Sequence, residues 1–389
     1  MKNIIDYLKE SGDEKMDERA FCDVDSLILS QFSYLKFDEI VPSVGNERAV
    51  SLREIEAHPE FEKLFSDERY AKDNRALFDA MRKSKRFGRM KVNFHVNIID
   101  SAWELQFSAT TCLLENGPVY VVFRGTDETL VGWKEDFNMA FITPIPAQEK
   151  ALQYLNCVTD LFAGKFIVGG HSKGGNLAVY ASMHCKESAK DRILRIYSHD
   201  GPGFREEIFQ SEEYASVRDR IHKLLPHSSM VGMLLQQQEA YEVVDCKSVG
   251  LLQHDPFNWL IDGYDFKRTD RLGIGAKIMD EGLNQWVSSL NQEQLQGFVE
   301  TLYGVVEAAN IKTLLDLNAD RRKHANAIIT AIKDMDDESK EILKQVVKVL
   351  FQQMKETLKK ESSLPVKVPG LEALGIHKAD IILREGAEK

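Results

Sequence analysis

Several features are scarce in this 389-residue chain, and each scarcity removes a class of function. Its five cysteines, Cys22, Cys112, Cys157, Cys185 and Cys246, are scattered singly with no C-x-x-C pair. Such an odd, dispersed set indicates neither a disulfide framework nor a zinc site, and reads as core thiols. No lysine and arginine block is interleaved with aromatics, and 61 acidic residues outnumber 50 basic ones for a net charge of −11, so a nucleic-acid partner is not expected. No apolar run is long enough for a membrane span or for the core of a signal peptide. The chain is read as a soluble, cytoplasmic protein. It also has no internal repeat and no low-complexity tract.

What is present is apolar material, 43% of residues, enough for a large core in one big domain with additions or in two domains. Residues 1–90 read as a helical leader, with "VDSLILSQFSYLKF" and "NRALFDAMRKSKRF" carrying apolar residues at three- and four-residue spacing. From residue 91 the segments "KVNFHVNII", "WELQFSATTCLLE" and "PVYVVFRGTD" are short and rich in β-branched and aromatic residues, with "NGP" between the last two. They predict strands with antiparallel pairing. A helix over 147–162, the strand "FIVGG", a helix from 174 and the strands "ILRIYSHD", "RIHKLLP" and "YEVVDC" follow, an alternation that predicts a largely parallel sheet covered by helices. Residues 91–265 are the expected core. Helical periodicity returns over 266–362, and 363–389 is a tail.

At the junction of "FIVGG" and the next helix stands Gly170-His171-Ser172-Lys173-Gly174. A serine hydroxyl becomes a nucleophile only when a base takes its proton, an acid orients the base and donors await the oxyanion. The G-x-S-x-G pattern alone arises by chance in a chain of this length with a probability of about 0.1, given glycine and serine usage of about 7% each. Its context is more specific. It ends an apolar strand and opens the helical "NLAVYAS", the setting of a nucleophile elbow; a structural glycine-rich turn or phosphate loop is the competing reading.

Upstream, "FRGTD" followed by "GW" and "DF", taken with "GGHSKGGNLA", resembles the class 3, fungal-type lipases of the α/β-hydrolase fold. The chain is more closely similar to a bacterial family of lipase-like proteins, through "DYLKESGDEKMDERAFCDVDSLILSQFSYLKF", "SHDGPGF", "LPHSSMVGMLL" and "QHDPFNW", which extends the resemblance over residues 6–262. It implies an α/β-hydrolase, lipase-like fold, with a mixed, largely parallel sheet and helical additions at both ends. Ser172 would be the nucleophile, Thr126 and the backbone N–H of Lys173 the oxyanion donors, and Trp133 and Asp136 braces of the loop between them.

The base should be a histidine late in the chain. His254, after "YEVVDC" and at the histidine position of the resembled family, is the first choice and His227 the second. The acid is less plain, because no Asp or Glu occupies 223–238, where class 3 lipases would place it. Asp200, in "SHDGPGF" at the end of the preceding strand, is the expected substitute. Asp245, Asp255, a histidine oriented by Ser228 or Ser229, or an inactive relative are the alternatives, and a carboxylate that merely holds a turn is the plain reading of Asp200. His171 is placed to touch substrate or to pack behind the nucleophile, with packing the favoured reading, and the Lys173 amide matters more than its ammonium.

The implied reaction is hydrolysis of an acyl ester or lipid-like substrate through an acyl-enzyme, with no metal or organic cofactor. The same machinery would serve a thioester or amide, and a non-catalytic hydrolase-fold interaction protein is the rival from another class. Two stretches bear on the substrate's surroundings. "ETLVGWKEDFNMAFITPIP" is a candidate flap. The stripe Ile342, Val346, Val347, Leu350, Phe351, Met354 and Leu358 would more often pack on neighbouring helices than on a membrane surface.

Overall fold

The leader's alternation of apolar and polar residues does produce helices: α1 (Ile4–Ser11), α2 (Asp23–Phe32), α3 (Leu52–Glu56) and α4 (Ala71–Lys83). In α4, Leu77, Phe78 and Met81 form the buried stripe while the flanking charges face out. α1 begins with a reciprocal capping box, in which the Asn3 side chain accepts from the Asp6 N–H and the Asp6 side chain accepts from the Asn3 N–H. The computed structural model describes residues 1–67, 70–127, 130–139, 142–229, 231–235, 240–248, 250–270, 272–273 and 291–308, with single positions at 330 and 340.

Residues 1–127 and 144–273 fall in one compact unit. Its strands are β1 (Val50–Ser51), β2 (Lys91–Asp100), β3 (Leu105–Leu113), β4 (Val119–Phe123), β5 (Phe166–His171), β6 (Ile193–His199), β7 (Ile221–Pro226), β8 (Tyr241–Val244), β9 (Ile261–Asp262), β10 (Asp265–Phe266) and β11 (Arg268–Thr269). Among the described residues, nine of them make one sheet in the order β1-β2-β3-β4-β5-β6-β7-β8-β11, and β9 pairs with β10 apart from it. β1 to β4 are antiparallel, β4 to β8 are parallel, and β11 returns antiparallel on β8. The parallel strands need helical crossovers, as the alternating pattern predicts. α6 (Pro146–Leu161) lies between β4 and β5, and α7 (Lys173–His184) lies between β5 and β6. Every residue of β5 is buried, as expected for a strand covered on both faces. This mixed sheet, parallel through its centre and clad in helices, is α/β-hydrolase-like.

The second unit takes residues 128–143 and 274–389. Its described elements are α5 (Leu130–Asn138), within the candidate flap, and the helix Gln292–Ala308, in which Leu295 and Val299 are buried. The Lys134 ammonium sits 4.8 Å from the Tyr303 ring centre, an attraction between a cation and the negative face of an aromatic. The tail 363–389, the apolar stripe from Ile342 to Leu358 and the Trp133 side chain lie outside the described residues.

In the first unit the leader and the sheet share one core: Phe32, Phe37, Phe78 and Phe87 join Tyr120, Val122, Ile167 and Trp259. A fully buried ion pair tethers the leader's loops. Arg86 donates to both carboxylate oxygens of Asp25, at 2.7 and 2.5 Å, and to the carbonyls of Glu14, Lys15, Arg19 and Ala20. Removing one partner strands the other without water. Arg86→Leu should therefore lower unfolding free energy by about 3–5 kcal/mol, measured by urea denaturation.

Two buried imidazoles add a pH dependence. His199, whose Nε2 is 2.8 Å from Ser26 Oγ, is held down to about 3 by burial. His95, with Nδ1 2.9 Å from Thr110 Oγ1, is likewise held down to about 4 by burial. An unfolded histidine titrates near 6.5, so between about 4 and 6.5 the unfolded chain binds more protons than the folded one. Stability from these groups is therefore full above pH 6.5 and is lost as pH falls, by about 1.4 kcal/mol per unit for each ring. In denaturation across that window, His199→Gln should show a slope shallower by about one proton.

Candidate active site

The predicted strand–turn–helix is formed at the motif. β5 ends at His171, α7 begins at Lys173, and Ser172 between them has φ 59° and ψ −136°, a backbone that L-residues other than glycine seldom adopt. Such a conformation costs about 1–3 kcal/mol and persists only where its surroundings dictate it. Here the dictating contacts are visible. Ser172 N–H donates to the His199 carbonyl at 2.9 Å, and the Ser172 carbonyl accepts from Gly175 N–H at 2.9 Å. A Cβ on Gly170 would overlap the Gly174 backbone, and one on Gly174 would overlap the Phe123 carbonyl. The motif's two glycines are therefore requirements of close backbone approach.

In the parallel register His171 stands opposite His199, so Ser172 and Asp200 are the next residues beyond two neighbouring strand ends. Asp200 is also in the left-handed region, at φ 48°, and is fully buried. Its carboxylate is satisfied on both oxygens. Oδ2 lies 2.6 Å from His254 Nδ1, while Oδ1 accepts from Ser229 Oγ at 2.5 Å and from Gly232 N–H at 3.1 Å. Ser229 thus serves the carboxylate rather than the histidine. Asp245 and Asp255 are engaged elsewhere: Asp245 pairs with Lys267 at 2.7 Å, which holds its carboxyl below the usual range, and Asp255 accepts from Phe257 N–H at 2.9 Å. The second-choice base, His227, has its Nδ1 3.3 Å from Ser228 Oγ.

The loop that carries His254 is fixed at several points. Gln253, buried beside it, accepts from Ser228 N–H on its side chain and donates to the Ser248 carbonyl, and its own carbonyl accepts from Trp259 Nε1 at 2.9 Å. His254 itself is half-buried. Its ring centre is 4.5 Å from that of His171, and its carbonyl is 2.8 Å from His171 Nε2. The base candidate is thereby brought against the residue that immediately precedes Ser172.

Thr126 and Lys173 belong to the same compact unit as this cluster, and Asp136 belongs to the other. Thr126 is half-buried in the loop after β4. That loop is held by Arg124, whose buried guanidinium donates to Asn97 Oδ1 at 2.9 Å and lies 3.7 Å from Asp127. The Lys173 ammonium is buried and donates to the backbone carbonyl and side-chain oxygen of Gln106, at 2.9 and 2.8 Å, so it points into β3. Asp136 lies on α5. Among the described residues, no group of three His, Cys, Asp or Glu side chains is placed to hold a metal ion.

Three contributors escape a reading of the sequence. Tyr34, from the leader, places its hydroxyl 3.2 Å from His171 Nδ1; Gln253 braces the histidine loop; and Gly125 lets the β4 loop close on the elbow. All three lie in stretches that carry the resemblance, Tyr34 in "QFSYLKF", Gln253 in "QHDPFNW" and Gly125 in "FRGTD", but no local pattern there assigns them these contacts.

Residues 81–304 match the Mbeg1-like family model, and the chain belongs to that family. No curated protein matches it. Among solved structures it is similar to an M37 lipase, at 13% identity and a TM-score of 0.36, over 55% of this chain and 70% of that one. It is also similar to a fungal lipase in an inhibitor complex, at 16% identity and a TM-score of 0.34, over 52% and 83%. A third is the Rhizomucor miehei lipase in its native propeptide complex, at 17% and 0.33, over 52% and 71%.

A Cβ on Gly125 would overlap the Tyr34 hydroxyl and stand 2.6 Å from the His171 carbonyl oxygen and 2.9 Å from Ser172 Cβ. Gly125→Ala should lower stability by about 1–3 kcal/mol in thermal melts. Gly164→Ala, where nothing lies within 4 Å of the added atom, should leave it within about 0.5 kcal/mol.

Proposed function

We propose that this protein is a serine hydrolase of the lipase and esterase type, which cleaves an acyl ester through an acyl-enzyme. The observation that carries the reading is the 2.6 Å contact of His254 Nδ1 with the buried Asp200 carboxylate, at the strand end next to the Ser172 elbow. In this reading Asp200 accepts from Nδ1–H, which leaves the Nε2 lone pair of His254 to take the Ser172 proton as Oγ attacks the ester carbonyl. The charge that develops on the carbonyl oxygen is met by Thr126 and the Lys173 backbone N–H. His254 then returns the proton to the leaving alcohol, and water repeats the sequence to release the acid.

The Lys173 side chain supports this division of labour, because its ammonium donates to Gln106 on β3, which leaves the backbone N–H as the group proposed to meet the oxyanion. The contacts of Asp200 support it as well, since Ser229 Oγ and Gly232 N–H fix one carboxylate oxygen while the other meets His254 Nδ1 and orients its ring. The five described thiols are all free, and no described helix is long and apolar enough to cross a membrane; we place the enzyme in the cytoplasm on that basis.

Purified protein treated with a fluorophosphonate probe should carry one adduct, located at Ser172 by mass spectrometry and absent in Ser172→Ala. Asp200→Asn and His254→Ala should label about 1,000-fold more slowly or worse while melting cooperatively. A folded wild type that gains no adduct with or without detergent would refute the reading.

A further inference from the structure

The hydrogen bonds around His171 form a directed chain. A backbone carbonyl can only accept, so at 2.8 Å from the His254 carbonyl His171 Nε2 must be the donor. In the neutral ring the other nitrogen is then an acceptor, and the group 3.2 Å from Nδ1 is the Tyr34 hydroxyl, which can donate. Tyr34 and His171 are both buried, and the two rings meet nearly edge to face. The Tyr34 hydroxyl also stands against the elbow itself, since a Cβ on Gly125 would overlap it and lie 2.9 Å from Ser172 Cβ.

From this geometry we propose that Tyr34 and His171 are positioning residues: Tyr34 holds His171 as the Nε2–H tautomer, and His171 clamps the backbone of His254 beside Ser172. The inference rests on the hydrolase reading for its effect on rate. It extends that reading to a residue outside residues 81–304, the stretch that the family model covers. The leader is then part of the working site and not merely a cover over one face of the sheet. His254 is held on two sides, by a carboxylate at its ring and by an imidazole at its carbonyl. A swing of the loop that carries it would break both contacts.

The test uses the full chain, with Tyr34→Phe, His171→Asn and His171→Gln compared with wild type. Phenylalanine keeps the ring and loses only the donor. Glutamine presents an amide N–H near the place of Nε2, whereas asparagine is too short to reach the carbonyl. With fluorophosphonate labelling resolved into a maximal rate and a half-saturating concentration, Tyr34→Phe and His171→Asn should lower the maximal rate about tenfold with half-saturation unchanged. His171→Gln should stay within about threefold of wild type, rescue that a purely packing role would not give. Wild-type rates in both Tyr34→Phe and His171→Asn would overturn the proposal.

Long-range proton–nitrogen spectra of the histidine rings give a readout that needs no reaction. In wild type at neutral pH His171 should be the Nε2–H tautomer, and the His254 ring signals should move in Tyr34→Phe. An Nδ1–H or cationic His171, or unmoved His254 signals, would overturn the proposal whatever the labelling shows. The expected spectra in a protein that never labels would instead preserve the clamp and refute the hydrolase reading. Should Tyr34→Phe fail to melt cooperatively, the contrast between His171→Asn and His171→Gln decides in its place.

Discussion

The architecture around the candidate site depends on one constraint: a carboxylate with no exposure to water has to be compensated by the protein. Asp200 is that carboxylate. Left unpaired, a buried carboxylate costs several kcal/mol. Two separate loops answer it. Ser229 and Gly232 come from the loop after β7, and His254 comes from the loop after β8. Each of those loops must fold correctly to supply its donors, so one buried charge couples the ends of three neighbouring strands. The ties between the two loops, above all Gln253 with Ser228 N–H, make that coupling stiff.

The leader extends the same logic to the other side of the sheet's parallel edge. Burying α2 against β5 brings Ser26 to His199 and Tyr120, and it brings Tyr34 to His171. These polar contacts specify register in a way that phenylalanines alone would not, because a slip of one turn would bury hydroxyls and imidazoles without partners. The Arg86–Asp25 pair acts at longer range. By gathering four carbonyls and a carboxylate around one guanidinium, it fixes the loop between α1 and α2 and so the height at which α2 meets the sheet. Packing supplies the energy of the shared core, while the buried polar contacts select one arrangement of it.

How much of this is legible in the sequence follows from how local each determinant is. The G-x-S-x-G turn, the strand before it and the helix after it are set by residues within a few positions of Ser172, and the expected elements fall within one or two residues of those observed. The antiparallel-then-parallel sheet is legible for a similar reason, since "NGP" permits a short reversal and the later strands are separated by helix-length segments. The partner of His254 is not local. Asp200, Asp245 and Asp255 are all carboxylates near strand ends in sequence, and only the register of β6, β7 and β8 decides which of them meets the ring. Tyr34 lies 137 residues from His171, and although its stretch is among those that carry the resemblance, only the packed leader shows which residue of that stretch meets the imidazole. The division at 128–143, which removes the candidate flap from the unit of the flanking strands, is likewise a property of contacts and not of composition.

Two non-glycine residues in the left-handed region, Ser172 and Asp200, sit side by side at the strand ends. Backbone energetics alone would favour glycine at both, because glycine occupies that region without the cost of about 1–3 kcal/mol that a Cβ incurs there. At both positions the sequence carries a side-chain oxygen in place of the easier residue. At Asp200 part of the cost is offset by three hydrogen bonds that only a carboxylate can accept. At Ser172 the described residues offer no comparable compensation from the side chain: its backbone is pinned by His199 and Gly175, and the hydroxyl does nothing to hold the turn. A strained residue whose side chain stabilises nothing is better explained by the chemistry of that side chain than by folding. That asymmetry separates Asp200, whose side chain holds its surroundings, from Ser172, whose hydroxyl holds no turn contact among the described residues, and it accords with the proposed reactive Ser172 better than with a glycine-rich turn kept for its shape.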